Sequence, residues 1–238
     1  MTKQLYQLSQ NHVTFPNPEH ALDDPDGLLA IGGCLSVLRL KKAYRQGIFP
    51  WFSEYEPIMW WSPSERGIIE FNDFHISKSL RKYLRKHPVN VTVNNAFDEV
   101  IEACQEQRLD AEGTWITNTM LDAYKQAHRE GVAHSVEVWH ENQLIGGLYG
   151  IMQTGVFCGE SMFHHQPNGS KLAMWALVNW LKRHNAHFID CQLENPYLLS
   201  LGEKVIARAE FLTKLDKAAS YTIPSNMWQP QELTAIYD

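Results

Sequence analysis

The stretch HFIDCQLEN, residues 187–195, begins like a buried strand with Phe188 and Ile189, then puts Asp190 and Gln192 where more core is expected. Strand side chains alternate between faces, so Phe188, Asp190 and Gln192 are predicted to share one face. A further acid, Glu160, interrupts the apolar run VFCGESMF (156–163) on the face of Val156, Cys158 and Met162. Two carboxylates supply candidate anions and proton carriers. An amide is neutral at ordinary pH, so Gln192 can orient a nucleophile or a carbonyl but cannot act as a base.

The elements around these residues decide whether they meet. A helix is predicted from Ser170 to about Arg183, between the strand at 156–163 and the strand at 187–193. A strand, a long crossover and a strand make a right-handed unit with two parallel neighbours. Ligands of parallel units collect beyond the carboxyl ends of the strands, where Glu160, Asp190 and Gln192 all fall.

Upstream, HSVEVWH (134–140) and QLIGGLYGI (143–151) join 156–163 through the turns EN and QTG as an antiparallel meander. Before it come a strand at GIIEF (67–71), a helix from Ser77 to about His87 ended by Pro88, a strand at VNVTV (89–93), a helix over 97–107 and a helix from the cap Thr117 to the stop Gly131. From the helix at 77 the order reads αβααβββαβ. Residues 15–35, rich in Pro, Asp and Gly, read as loop and turns leading to a Ser36 cap, and a short helix follows to Gln46 and Gly47. IFPWFSEYEPIMWWSPSERG then reads as an aromatic loop, since Pro50, Pro57 and Pro63 exclude a long helix or a central strand. A boundary at 62–66 divides the chain into 1–64 and 65–238.

Composition narrows the class. The chain has 238 residues, 44% hydrophobic and 20% charged, which is globular and long enough for a substantial core. The opening MTKQLYQLSQ lacks the halves of a signal peptide, and no apolar run approaches the roughly 20 residues of a bilayer span, so a cytoplasmic protein is expected. Cys34, Cys104, Cys158 and Cys191 form no CxxC pair and read as reduced packing residues. His164, His165, His184 and His187 lack a metal-ligand spacing, and GESMF is not the GxSxG elbow of a serine hydrolase. No metal is expected.

A net charge of −6 argues against a polyanionic partner, but charge is local. SKSLRKYLRKH (77–87) carries Lys78, Arg81, Lys82, Arg85 and Lys86 without an acid, and SVLRLKKAYRQG (36–47) carries Arg39, Lys41, Lys42 and Arg45 likewise. Two basic helix faces suit phosphates.

FPWF (49–52), WWSP (60–63), EGTWIT (112–117), AHSVEVW (133–139), GGLYG (146–150), FCGESMF (157–163) and IDCQ (189–192), in this order, resemble the motif set of the leucyl/phenylalanyl-tRNA–protein transferases over about Phe15 to Trp228. The resemblance implies an α+β fold, with a small N-terminal domain before a larger acyl-CoA N-acyltransferase-like (GNAT-like) domain built on a mixed sheet. It implies transfer of leucine or phenylalanine, with methionine as a further donor, from aminoacyl-tRNA to the N-terminal Lys or Arg of acceptor proteins, which marks them for N-end rule degradation. No cofactor is implied, and a soluble monomer is expected.

On the same resemblance Glu160 holds the acceptor's amino end, while Asp190 and Gln192 lie beside the scissile ester, Gln192 steering the attacking amine and Asp190 polarising that network. Trp51 and Trp115 sandwich the terminal adenosine. Phe157 and Leu148 line the aminoacyl pocket, with Leu148 standing where methionine is expected, and Cys191, within IDCQ, joins the substrate contacts. Lys78, Arg81, Lys82 and Arg85, with Arg39, Lys42 and Arg45 as further candidates, face the acceptor-stem phosphates, where contacts position without reading sequence. Trp60, Trp61, Trp139, Trp175 and Trp180 read as core. Two alternatives stand beside this reading. A CoA-dependent N-acyltransferase shares the expected fold, but FHHQPNGS (163–170) lacks a glycine-rich R/Q-x-x-G-x-G/A pyrophosphate loop. A tRNA-binding module without catalysis leaves the carboxylates without a purpose.

Overall fold

A computed structural model of the chain describes residues 3–112 and 115–237, without the side chains of 109–112. Gly113 and Thr114 of EGTWIT therefore lie outside the described residues, whereas Trp115 lies within them.

The N-terminal part is a four-stranded sheet of β1 (Tyr6–Leu8), β2 (Leu28–Gly32), β3 (Phe49–Pro50) and β4 (Met59–Trp61) in the order β1-β2-β4-β3, packed with helix α1 (Val37–Arg45). This corrects two expectations. Residues 15–35 are not all loop, since Leu28–Gly32 forms β2 between Gly27 and Gly33, both at positive φ. The aromatic loop also contains an inner strand, because β4 is short enough to fit between Pro57 and Pro63, while Pro50 sits in the edge strand β3. α1 starts where expected, with the Ser36 hydroxyl accepting from the Arg39 N–H and Gly47 turning away at φ +71°.

The second sheet has eight strands. β5 (Glu65–Glu70), helix α2 (Lys78–Lys86), β6 (Asn90–Val93), helices α3 (Phe97–Glu112) and α4 (Asn118–Arg129), β7 (Ala133–His140), β8 (Gln143–Gln153), β9 (Val156–His164), helix α5 (Gly169–Arg183) and β10 (Phe188–Gln192) follow the predicted order. Beyond them come α6 (Pro196–Leu199), β11 (Lys204–Ala207), α7 (Arg208–Ala218) and β12 (Gln231–Glu232), for which the sequence pattern supplied no expectation. The spatial order is β11-β5-β10-β9-β8-β7-β6-β12. The meander β7-β8-β9 is antiparallel and β9 pairs β10 in parallel, as the crossover rule requires. The fold is thus mixed α/β on a mixed sheet.

Each face of this sheet has its own core. Val156, Cys158, Tyr149 and Phe188 pack with α1, α3, α4 and α7. Phe157, Leu148, Met152 and Ile189 pack with α5 and the C-terminal segment. Helix α5 is apolar nearly all round because that segment wraps its outer side: the Tyr237 hydroxyl donates to Leu172 O at 3.0 Å and Asn179 Nδ2 to Ile236 O at 2.7 Å. Its N-terminus sits tight on β8, where a Cβ on Gly146 would lie 2.5 Å from the Gly169 backbone.

Candidate active site

β9 and β10 pair only as far as Cys158 and Asp190, and then they part. Each strand is irregular at that point. On β9 the pairing with β8 jumps from Gly159 to Ser161, leaving Glu160 as an extra residue, and on β10 the pairing with β5 jumps from Asp190 to Gln192, leaving Cys191 extra. Such bulges bend a strand and re-aim its side chains. The result is a fork that joins the two faces of the sheet.

Asp190 does not stand in the opening, contrary to its expected place beside a substrate bond. It is fully buried, and its carboxylate accepts from Arg66 Nε at 2.8 Å and Nη2 at 2.7 Å. The guanidinium lies between the rings of Phe49 and Phe211, at 4.8 and 4.5 Å, and donates to Gly47 O at 3.2 Å. Burial works against the charge on Arg66, but the paired carboxylate more than offsets it and holds the guanidinium pKa above its ordinary value.

Asp190 also holds the backbone: Oδ1 accepts from the Gln192 N–H at 3.0 Å. Gln192 has φ +61°, and the Leu193 N–H reaches back to Cys191 O at 2.9 Å, which closes a γ-turn of the strained hand. The ladder is therefore irregular between Asp190 and Gln192. The turn brings the side-chain amide to the second carboxylate, where Gln192 Nε2 donates to Glu160 Oε1 at 3.1 Å.

Glu160 is the centre of the site. The Tyr44 hydroxyl from α1 donates to Oε1 at 2.7 Å, the Tyr124 hydroxyl from α4 donates to Oε2 at 2.9 Å, and the two phenols touch each other. Burial pushes the Glu160 carboxyl up to about 7; the two phenols pull it down, nearby Asp190 raises it, and Arg66 lowers it. Burial and the Glu160 charge hold both phenols well above their ordinary value, so they remain donors. A half-buried carboxyl that titrates near neutrality inside a cleft is a candidate for work on a cation or a proton.

A cavity of about 600 Å³ runs through the fork. Glu160, Gln192, Cys191 and Tyr149 line it beside Leu148, Phe157, Met174 and Leu177, with Trp51 and Trp115 at its wall. Trp51 is 43% exposed and Trp115 half-buried, whereas Trp60, Trp175 and Trp180 are buried as expected and Trp61 and Trp139 partly so. Arg108, absent from the sequence reading, joins the same wall: its Nε donates to Ser161 Oγ at 3.0 Å and its guanidinium lies 5.9 Å from the Trp115 ring.

Lys78, Arg81, Lys82 and Arg85 are exposed on α2, with Arg81 5.1 Å over Trp175 of α5, the helix whose Met174 and Leu177 wall the cavity. Lys42 and Arg45 are exposed as well. Arg39 is not available to a phosphate: it is fully buried, and its Nη2 donates to Ser9 O at 2.6 Å and His12 O at 2.9 Å. Tyr44, Tyr124 and Arg66 escaped the sequence reading. Tyr44 and Tyr124 look like apolar-face residues of amphipathic helices, and Arg66 precedes the apolar run of its strand, where an exposed charge is usual.

Fold and site together define an enzyme of mixed α/β architecture whose cleft opens at the carboxyl ends of two splayed parallel strands. Comparison with known proteins makes the class particular. The family model described as leucyl/phenylalanyl-tRNA protein transferase matches residues 68–216, and that of the same family's N-terminal domain matches 33–64. The chain belongs to that family. The leucyl/phenylalanyl-tRNA–protein transferase of Pseudoalteromonas translucida is 73% identical over 100% of both chains, and that of Pectobacterium atrosepticum 52% identical over 96% of this chain and 97% of its own. Among solved structures, L-PGS from Bacillus licheniformis overlays with a TM-score of 0.40 and 13% identity, covering 63% of this chain and 48% of that one, a likeness too remote to bear on the fold. Among the described residues no helix is long and apolar enough to cross a membrane.

Proposed function

We propose that this chain moves leucine, phenylalanine or methionine from aminoacyl-tRNA to the N-terminal Lys or Arg of acceptor proteins, marking them for N-end rule degradation. The observation that carries the proposal is the fork, which lets one cavity reach an apolar pocket on one face of the sheet and the Glu160 carboxylate on the other. An ester and an amine entering from opposite faces would meet there.

The reaction is aminolysis of an ester. An α-amino group of pKa roughly 8 is partly neutral near pH 7.5, so positioning matters more than a strong base. In this reading Glu160, held by Tyr44 and Tyr124, takes the acceptor's amino end. Gln192 orients the attacking amine or the ester carbonyl. Asp190, out of reach of substrate, fixes the Gln192 turn and is a positioning residue. Leu148 and Phe157 take the aminoacyl side chain, Trp51 and Trp115 stack the terminal adenosine, and Cys191, at the bulge, fills the wall between them. The basic face of α2 takes acceptor-stem phosphates.

Two further assignments accompany the proposal. Residues 1–64 form a small N-terminal domain and 65–238 a GNAT-like catalytic domain, supported by the separate sheets on either side of 62–64 and by the meander that leads into a splayed parallel pair. The protein acts in the cytoplasm as a monomer.

The test is transfer of labelled leucine from leucyl-tRNA to a peptide beginning with arginine, against one beginning with glycine. Transfer to the first and not to the second is expected. Absence of transfer to both would sink the proposal. Trp115→Ala is expected to weaken binding of an amide-linked leucyl-adenosine by roughly 5- to 150-fold, since stacking on an aromatic ring is worth about 1–3 kcal/mol per base, with a much smaller change in single-turnover rate at saturation.

A further inference from the structure

Phe157 lines the cavity beside Leu148, Met174 and Leu177, and its ring has support on two sides. Towards the sheet it lies against Gly150, where a Cβ would come within 2.6 Å of the ring, so only the bare backbone of β8 fits beneath it. On another side it meets Trp228, with ring centroids 5.7 Å apart and planes at 30°. Trp228 stacks in turn on His134 at 4.4 Å, nearly parallel at 8°.

Three rings in a row would be loose packing if the last were free to move, and it is held. The Ser135 N–H donates to Asn94 Oδ1 at 2.9 Å, so the other end of that side chain must be its amide N–H₂. That group donates to Trp228 O at 2.6 Å and lies 3.0 Å from His134 Nδ1. Burial, with His128 adding to it, pushes the His134 imidazole down to about 3, so the ring is neutral and Nδ1 accepts. One asparagine therefore clamps both the backbone of Trp228 and the ring behind it. Trp228 itself is buried and lies beyond residue 216, where the family match ends.

We propose that Trp228 is the backing ring of the donor pocket: clamped by Asn94 and His134, it prevents Phe157 from retreating and so sets the pocket's depth and the choice between aliphatic and aromatic aminoacyl groups. The inference rests on the reading of this cavity as the aminoacyl site. It assigns Trp228 a positioning role, since the residue itself does not line the cavity. Close-packed interiors transmit a change of volume to their neighbours, so space opened behind Phe157 is felt in front of it.

The test pairs Trp228→Leu with Trp228→Phe, the second removing only part of the ring. Amide-linked leucyl-adenosine and phenylalanyl-adenosine are titrated into each protein by calorimetry, and transfer from leucyl- and phenylalanyl-tRNA to an arginine peptide is compared as kcat/KM. The ratio of phenylalanyl to leucyl preference should rise about fivefold or more in Trp228→Leu and about twofold in Trp228→Phe, in both assays, with the KM for the peptide unchanged. If Trp228→Leu does not fold, the phenylalanine variant decides. A ratio that stays at the parent value in the folded variants overturns the backing role, even if overall activity falls. Failure of the parent to bind either adenosine analogue overturns the assignment of the cavity, and the backing role with it.

Discussion

Asp190→Ala unfolds about 3–5 kcal/mol more easily than the parent in urea and loses transfer by about 100-fold or more. The stability loss follows from Arg66, which is left fully buried between two aromatic rings with no carboxylate. The activity loss follows from Gln192, whose backbone N–H loses its acceptor in a turn of unfavourable φ, so its amide is no longer held against Glu160. Displacement of a positioned group by about 1 Å is enough for a loss of that order. The double variant Arg66→Met, Asp190→Leu separates the two effects. Replacing a buried ion pair with apolar groups restores stability in many cores, so this variant should fold like the parent and still transfer poorly. Normal transfer by the double variant would show that Asp190 serves the ion pair alone.

In Glu160→Gln the carboxylate that would hold a cationic acceptor is gone, and kcat/KM for an arginine peptide should fall by about 10- to 150-fold, the equivalent of a charged hydrogen bond of about 1.5–3 kcal/mol. The pH dependence is the sharper readout. With the carboxyl at about 7, the parent's kcat/KM should climb through that region as Glu160 ionises, and the variant should lack this limb while keeping the later rise from the acceptor's amine. Stability should change as well. The folded pKa lies above the unfolded value of about 4.5, so the folded state binds this proton more tightly. The resulting contribution is complete below about pH 4.5 and is lost as pH rises to about 7. Glu203, which burial also pushes up to about 7, titrates in the same window, so the difference between parent and variant isolates Glu160. A parent profile of the same shape as that of Glu160→Gln between pH 6 and 8 would remove Glu160 from acceptor binding.

Much of this was legible in the chain. Local alternation and turn residues marked β7, β8 and β9, and the length of α5 required β9 and β10 to be parallel. Capping residues fixed the starts of α1, α2 and α4, at Ser36, Ser77 and Thr117. The short strands of the N-terminal sheet were not legible, because three-residue elements such as β4 take their hydrogen bonds from distant partners and leave no period to read. The C-terminal wrap over α5 is likewise made of isolated contacts at Trp228, Ile236 and Tyr237.

The sequence by itself determined which strands run together and which ends carry Glu160 and Gln192, because each of these depends on neighbours within a few residues or on the handedness of one crossover. Only the tertiary structure decided what the polar residues do. A period of two assumes an unbroken ladder, and both strands break it at the point that matters, with bulges at Glu160 and Cys191. Burial lifts Glu160 to near neutrality, and the partners that turn Asp190 inward and hold the Glu160 carboxylate, Arg66, Tyr44 and Tyr124, lie 124, 116 and 36 residues away along the chain. Charge burial and long-range hydrogen bonding belong to the folded core, and no local pattern records them.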